Sequence, residues 1–256
     1  MSRVHPETEL ERKLMCLGAV FVEEDHVLDD LYEVIGSDLV EGQELQEDVK
    51  EQVLSEVGEY FLRMDMNLGP EAQWECVEIL QEMWGVRDKA SALKNLENIR
   101  QQGHRTKFNV LKSVVQNQKH IDGHILEKFK QIFEFDFSPA HEIKMADEDY
   151  RKLAEWMQRT DKYLTASGIL AWDVARAVHL TRLCFVAGFF NDNEAWAEIL
   201  HWAPLIEDHY PDWTSYAQSF LIGCTFWAGS EDPHLKKICE RLLGHPASPW
   251  LFYSWT

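Results

Sequence analysis

The sequence predicts an all-α protein, a compact multi-helix domain built around a central apolar helix at about residues 168–190. Three observations lead there. Apolar residues recur at helical three- and four-residue spacing from end to end, while alternating strand patterns are scarce. Gly69-Pro70, Gly85 and Gly103 punctuate the periodic segments where helices end. The 256 residues are 45% hydrophobic with 10 Trp and 13 Phe, ample for a buried core and far from a disordered composition.

In chain order, residues 14–22 read as a buried helix. Arg12 and Lys13 precede this stretch as in a secretory leader, but Glu7, Glu9 and Glu11 spoil the positive region, and Glu23-Glu24-Asp25 stand where a small-residue cleavage site belongs. The clearest helix carries Leu45, Val49, Val53, Leu54, Val57, Tyr60, Phe61 and Met64 on one face, with acids and glutamines opposite, and stops before Gly69-Pro70. Helices follow at about 71–83, 88–102 and 105–117. A further one carries Ile125, Phe129, Ile132 and Phe133 before the 135–141 loop with Pro139. The chain reads as one domain over 1–256. Its candidate sub-division lies near 135–146, between helical halves 1–134 and 147–256. The second half predicts helices at about 147–165, 168–190, 193–209, 213–228 and 231–243, and the 168–190 segment is apolar on nearly all sides, the mark of a helix wrapped by others. The tail 246–256 is too short and Pro-interrupted for a helix. Its Trp250, Phe252, Tyr253 and Trp255 either pack back along the bundle or are offered to a partner. No repeat of 20 to 50 residues suggests a solenoid, and no apolar run reaches the roughly 18 residues of a membrane-crossing helix.

Charge narrows the function classes. The net charge is −19, and residues 1–60 hold 17 acidic against 4 basic side chains. Such a surface repels phosphate backbones and anionic lipid, so nucleic-acid and membrane binding are disfavoured, and it steers a basic protein partner inward. Glu44, Glu47, Glu51 and Glu59, off the apolar stripe of their helix, are the candidate partner-binding residues. Residues 87–130 invert the sign, with 10 basic and 4 acidic side chains. This stripe either complements the acidic N-terminal region or holds an anion, though no Gly-rich phosphate loop accompanies it. The five cysteines, Cys16, Cys76, Cys184, Cys224 and Cys239, are odd in number and widely spaced, with no CxxC pair. Neither a zinc site nor a disulfide framework follows, and a reducing cytoplasm fits best. Cys224, between Gly223 and Thr225, reads as a buried inert thiol.

The candidate chemistry sits in the central helix. Asp173, Arg176 and His179 fall three residues apart on one side, with Arg182 a turn further. Burying such charges is expensive unless they are paired or line a cavity. One reading is a structural Asp173–Arg176 pair, joined by Arg182, that sets helix register. The other makes Asp173 or His179 a general base and Arg176 or Arg182 an anion clamp. His120 and His124 have the i, i+4 spacing of a metal pair, with Asp122 between them, but no third ligand is identifiable. His201 and His209, near Glu198 and Asp208, fall short of a metal signature as well. HExxH, GxSxG, the P-loop and GxGxxG are absent, so no metal or cofactor is predicted.

The run Gly168-Ile-Leu-Ala-Trp-Asp-Val-Ala-Arg-Ala-Val-His-Leu-Thr-Arg182, then Ala187-Gly188-Phe189 and Glu194-Ala-Trp196, resembles the bacterial domain of unknown function 1266 family. Trp213 with Tyr216, Gly223 and Trp227, and Ser248-Pro249-Trp250 ahead of Trp255, are similar to its later elements. Trp84-Gly85-Val86 and Gln102-Gly103-His104-Arg105 with Phe108 resemble its N-terminal half. The likeness runs from about Leu14 to the end. It implies a helical, cytoplasmic, bacterial domain and no stated activity. The function expected is therefore non-catalytic binding of a basic protein, with toxin neutralisation of the immunity type as one concrete version. The alternatives are an enzyme using Asp173, Arg176, His179 and Arg182, or a scaffold in a larger assembly.

Overall fold

The computed structural model describes residues 3–24, 26–35, 47–136, 146–206, 209–253 and 255. The fold is all-α, and among these residues there is no strand. The helices are α1 (Glu9–Cys16), α2 (Ala19–Glu23), α3 (Val27–Ile35), α4 (Glu47–Phe61), α5 (Ala72–Trp84), α6 (Lys89–Gln101), α7 (Gly103–Val115), α8 (Gly123–Asp136), α9 (Asp147–Thr160), α10 (Leu170–Val186), α11 (Asp192–Leu200), α12 (Ala203–Ile206), α13 (Trp213–Ala228), α14 (Pro233–Gly244) and α15 (Pro249–Phe252).

Helix α10 is the expected centre. It is buried along almost its whole length and packs against α2, α5, α6, α7, α11 and α13. Its approach to α13 is close enough that a Cβ on Gly223 would fall 2.3 Å from Trp172 Cβ, so only glycine fits there. The core falls into two clusters. The larger surrounds α10; the smaller joins α7, α8 and α9 through Phe108, Leu111, Phe129, Tyr150 and Met157. α9 thus packs against the two helices that precede the 135–146 segment, most of which lies outside the described residues.

Several helices differ from the periodicity in their breaks. Residues 14–22 form parts of two helices that part at Leu17-Gly18, and Gly18 packs so close to Val178 that a side chain there would meet Val178 Cγ1 at 2.8 Å. The predicted 193–209 helix is also two, since Pro204 lacks the N–H that would continue α11. The expected 147–165 helix ends at Thr160 and gives way to a 3-10 turn over Asp161–Tyr163. On α4, Val53, Val57 and Phe61 are buried as the stripe predicts, while Leu45 lies outside the described residues. The tail is not the irregular segment expected. Pro249 stands in the first turn of α15, where its missing N–H costs nothing, and Ser248 caps the helix by accepting from the Trp250 N–H at 3.2 Å. Trp250 is buried and stacks on Trp213 at 5.0 Å between ring centres, so the tail packs back on the bundle. No helix among the described residues is long and apolar enough to cross a membrane.

Candidate functional site

The polar residues of α10 meet the start of α7. That helix begins almost where α6 ends, and Gln102 before it supplies no side-chain cap. Its first N–H groups need an acceptor from elsewhere, and Asp173 provides it. Asp173 Oδ1 accepts from the His104 N–H at 2.8 Å, and Oδ2 from the Arg105 N–H at 3.1 Å and from Arg105 Nη1 at 2.9 Å. Arg105 also donates to the Ile99 and Arg100 carbonyls, closing the last turn of α6. One aspartate and one arginine therefore tie three helices together. Gly103 makes room for this, with φ at +55° and a position where a Cβ would lie 2.1 Å from Asp173 Oδ2.

The expected Asp173–Arg176 pair is thus corrected, because the fully buried carboxylate is already saturated by Arg105 and two backbone donors. Arg176 points elsewhere. Its guanidinium lies 4.7 Å from the Trp84 ring and 5.4 Å from the Trp172 ring, and Nη1 donates to His104 Nδ1 at 2.8 Å. A guanidinium only donates, so Nδ1 must be the unprotonated nitrogen of His104. The 3.5 Å from Nδ1 to Asp173 Oδ1 is then no hydrogen bond. Burial lowers the pKa of Arg176 from its usual value, with the Asp173 charge opposing.

His179 and Arg182 do not join this cluster. The His179 ring stacks on Phe21 with centroids 4.7 Å apart, and its pKa is pushed down to about 3 by burial and by the positive charge of Arg182. Such an imidazole stays neutral near pH 7 and is too weakly basic for the general base proposed from sequence. Arg182 has no exposed surface and donates from Nη2 to the Arg63 carbonyl at 2.7 Å. Burial brings its pKa down to about 9, against the pull of Asp65. It neither reaches the Asp173 joint nor opens to solvent. The residues that sequence reasoning missed are His104 and Arg105. Their signal was present in the Gln102-Gly103-His104-Arg105 motif, but helical spacing within α10 cannot reveal a partner on another helix.

The remaining candidates are dispersed. His120 and His124 are both exposed, and no cluster of three or more metal-capable side chains occurs among the described residues. His201 lies by Glu198, Nδ1 to Oε2 3.7 Å, while Asp208 is outside the described residues. All five thiols are free and buried, and burial pushes Cys224 up to about 11.

On the acidic side, Glu51 is exposed on α4, and Glu59 lies 2.8 Å from Arg63 and 3.5 Å from His5. Glu44 lies outside the described residues, as does the side chain of Glu47. Glu7, Glu9, Glu24, Asp29 and Asp30 are exposed as well. Among the described residues the basic stripe forms no ion pair with them. Its long-range ion pairs among the described residues run from Lys89 to Glu194, Arg100 to Glu198, Arg105 to Asp173, Lys112 to Asp161 and Lys130 to Asp147.

An all-α bundle whose central helix caps a neighbour through a buried aspartate is the class that fold and site define. The chain belongs to the family described as Protein of unknown function (DUF1266), matched over residues 79–255. It is similar to the Uncharacterized protein YbeR of Escherichia coli (strain K12), 23% identical over 172 residues, which cover 65% of this chain and 64% of the relative. The chain thus spans a little under two thirds of that relative's length. No solved structure matches it. Both halves of the Asp173 joint fall inside the family match, whereas α1 to α4 precede it.

Proposed function

We propose that the protein is a non-catalytic, cytoplasmic binding protein that engages a basic protein partner through its acidic first 60 residues. Neutralising a basic toxin, as an immunity protein does, is the concrete form of this reading. The observation that carries it is the excess of 17 acids over 4 bases in that region; among the described residues Arg63 holds Glu59 and Arg241 holds Glu23 and Asp29, while the ion pairs of the basic stripe run elsewhere. The rival catalytic set loses support because Asp173 is consumed as a helix cap, His179 is held neutral against Phe21 and Arg182 is sealed inside. Five free thiols fit a reducing compartment.

The test is to capture partners from the source cells, purify the one retained, and measure its affinity for the native chain and for a variant with Glu44, Glu47 and Glu51 changed to Lys. Glu59 is left in place there, since a lysine would sit against Arg63; a fourfold variant adds it. Affinity should fall about tenfold or more in the triple variant, with the helical circular dichroism unchanged. A partner that binds the triple variant as tightly as the native chain removes the proposal. So does a folded Asp173→Asn protein that loses a measurable turnover, because that outcome places chemistry at the joint.

A further inference from the structure

The loop between α7 and α8 folds over α9 and leaves an open depression of about 380 Å³, lined by Lys119, His120, Ile121, Arg151, Glu155, Gln158 and Arg159. Two of these side chains build the wall. Arg151 Nη1 donates to the Ile121 carbonyl, and Gln158 Nε2 donates to the carbonyls of Val115, at 3.3 Å, and Gln118. Asn117, with φ at +63°, makes the turn between these anchors in a conformation asparagine tolerates better than most residues. The loop is thus tied to α9 from both sides.

What remains is charge without internal use. Lys119 and Arg159 are exposed and make no hydrogen bond or ion pair among the described residues, and Arg151 spends a single N–H of its guanidinium on the wall. Three cations face one carboxylate, Glu155, in a protein whose net charge is −19. Lys119, Arg151 and Arg159 against Glu155 leave the depression a surplus of two positive charges, which a dianionic phosphate group balances.

We propose that this depression binds a small phosphate-bearing molecule, its phosphate seated among Lys119, Arg151 and Arg159. Glu155 stands ready to accept a hydrogen bond from a hydroxyl of the same ligand, which favours a phosphorylated sugar or similar metabolite over bare phosphate. A long polyanion does not fit, since the acidic bulk of the protein repels a nucleic-acid backbone while a small ligand meets only the local field. The volume lies within the usual range for small-molecule sites, roughly 300–1,000 Å³. The basic stripe at 87–130, which already includes Lys119 and His120, supplies one side of the hollow, and α9 brings Arg151 and Arg159 to it.

Calorimetric titration of the full chain at low ionic strength, with inorganic phosphate and with glucose 6-phosphate, tests this. Saturable 1:1 binding of both is expected, tighter for the sugar phosphate. The double variant Lys119→Gln, Arg159→Gln removes two charged donors without touching a fold contact, and it should weaken both ligands about tenfold or more. Glu155→Gln should tighten inorganic phosphate by removing a repelling charge, and should narrow the preference for the sugar phosphate. Lys94→Gln, an exposed cation on α6, should change nothing. The proposal fails if neither ligand saturates at millimolar concentration, or if Lys94→Gln weakens binding as much as the double variant, which marks diffuse attraction and no site.

Discussion

Asp173 is fully buried yet charged, and it survives there because three donors converge on its two oxygens. Asp173→Ala leaves Arg105 without its counter-charge and two helix N–H groups unsatisfied, so it should cost roughly 3–5 kcal/mol. Arg176→Ala removes contacts to two indoles and one hydrogen bond to His104, worth about 1–2 kcal/mol together. Urea midpoints of the two variants decide the matter: equal losses would mean that Arg176, not Arg105, neutralises the aspartate. His179 links the fold to pH. Its folded pKa lies below the ordinary 6.5, so as pH falls the unfolded chain takes up the proton first. Stability is fully present above about 6.5 and is lost on descent toward 3, by at most about 1.4 kcal/mol per pH unit. Buried Glu23, whose pKa is raised, tilts the balance the opposite way by protonating more readily in the fold. The readout is therefore a difference: His179→Phe, which keeps a ring against Phe21, should flatten the fall in stability between about pH 6.5 and 4.

Helix positions were legible because a one-sided apolar stripe is a local property, as Val53, Val57 and Phe61 show on α4. Helix breaks were less so. The close packing of Gly18 between α1 and α2 is against Val178, and the start of α7 depends on Asp173, residues far away in sequence. The tail illustrates the same limit, since Pro249 reads as an interruption until Ser248 is seen to cap it. Trp250 now stacks on Trp213 and donates from Nε1 to the Cys16 carbonyl at 2.9 Å, while Trp213 Nε1 donates to the Tyr253 carbonyl at 2.9 Å. The tail thus ties α13 to α1. Removing so large a buried ring should cost roughly 3–5 kcal/mol, so Trp250→Ala should melt well below the native protein in a thermal scan. An unchanged melting temperature would return the tail to the role of a surface offered to a partner.

Across the whole molecule the charges are segregated, with acids concentrated in residues 1–60 and an uncompensated basic hollow beside α9. Association with a basic partner should accordingly slow between low and physiological ionic strength, as the Debye length shrinks to about 8 Å. Binding at the hollow is more local and depends on Lys119 and Arg159 themselves.

Helicity, the central position of residues 170–186 and the acidic imbalance of the first 60 residues were determined by the sequence alone, because each is a sum over near neighbours or a simple count. The partners of Asp173, Arg176 and Arg182 were not. In α10 the three-residue spacing puts Asp173 beside Arg176, with Arg182 half a turn round from Asp173, yet the folded chain sends Asp173 to the start of α7, Arg176 to Trp84 and His104, and Arg182 to the Arg63 carbonyl. A buried charge is settled by whichever donors and acceptors tertiary packing brings within 3 Å, and contacts between helices distant in the chain leave no periodic trace in it.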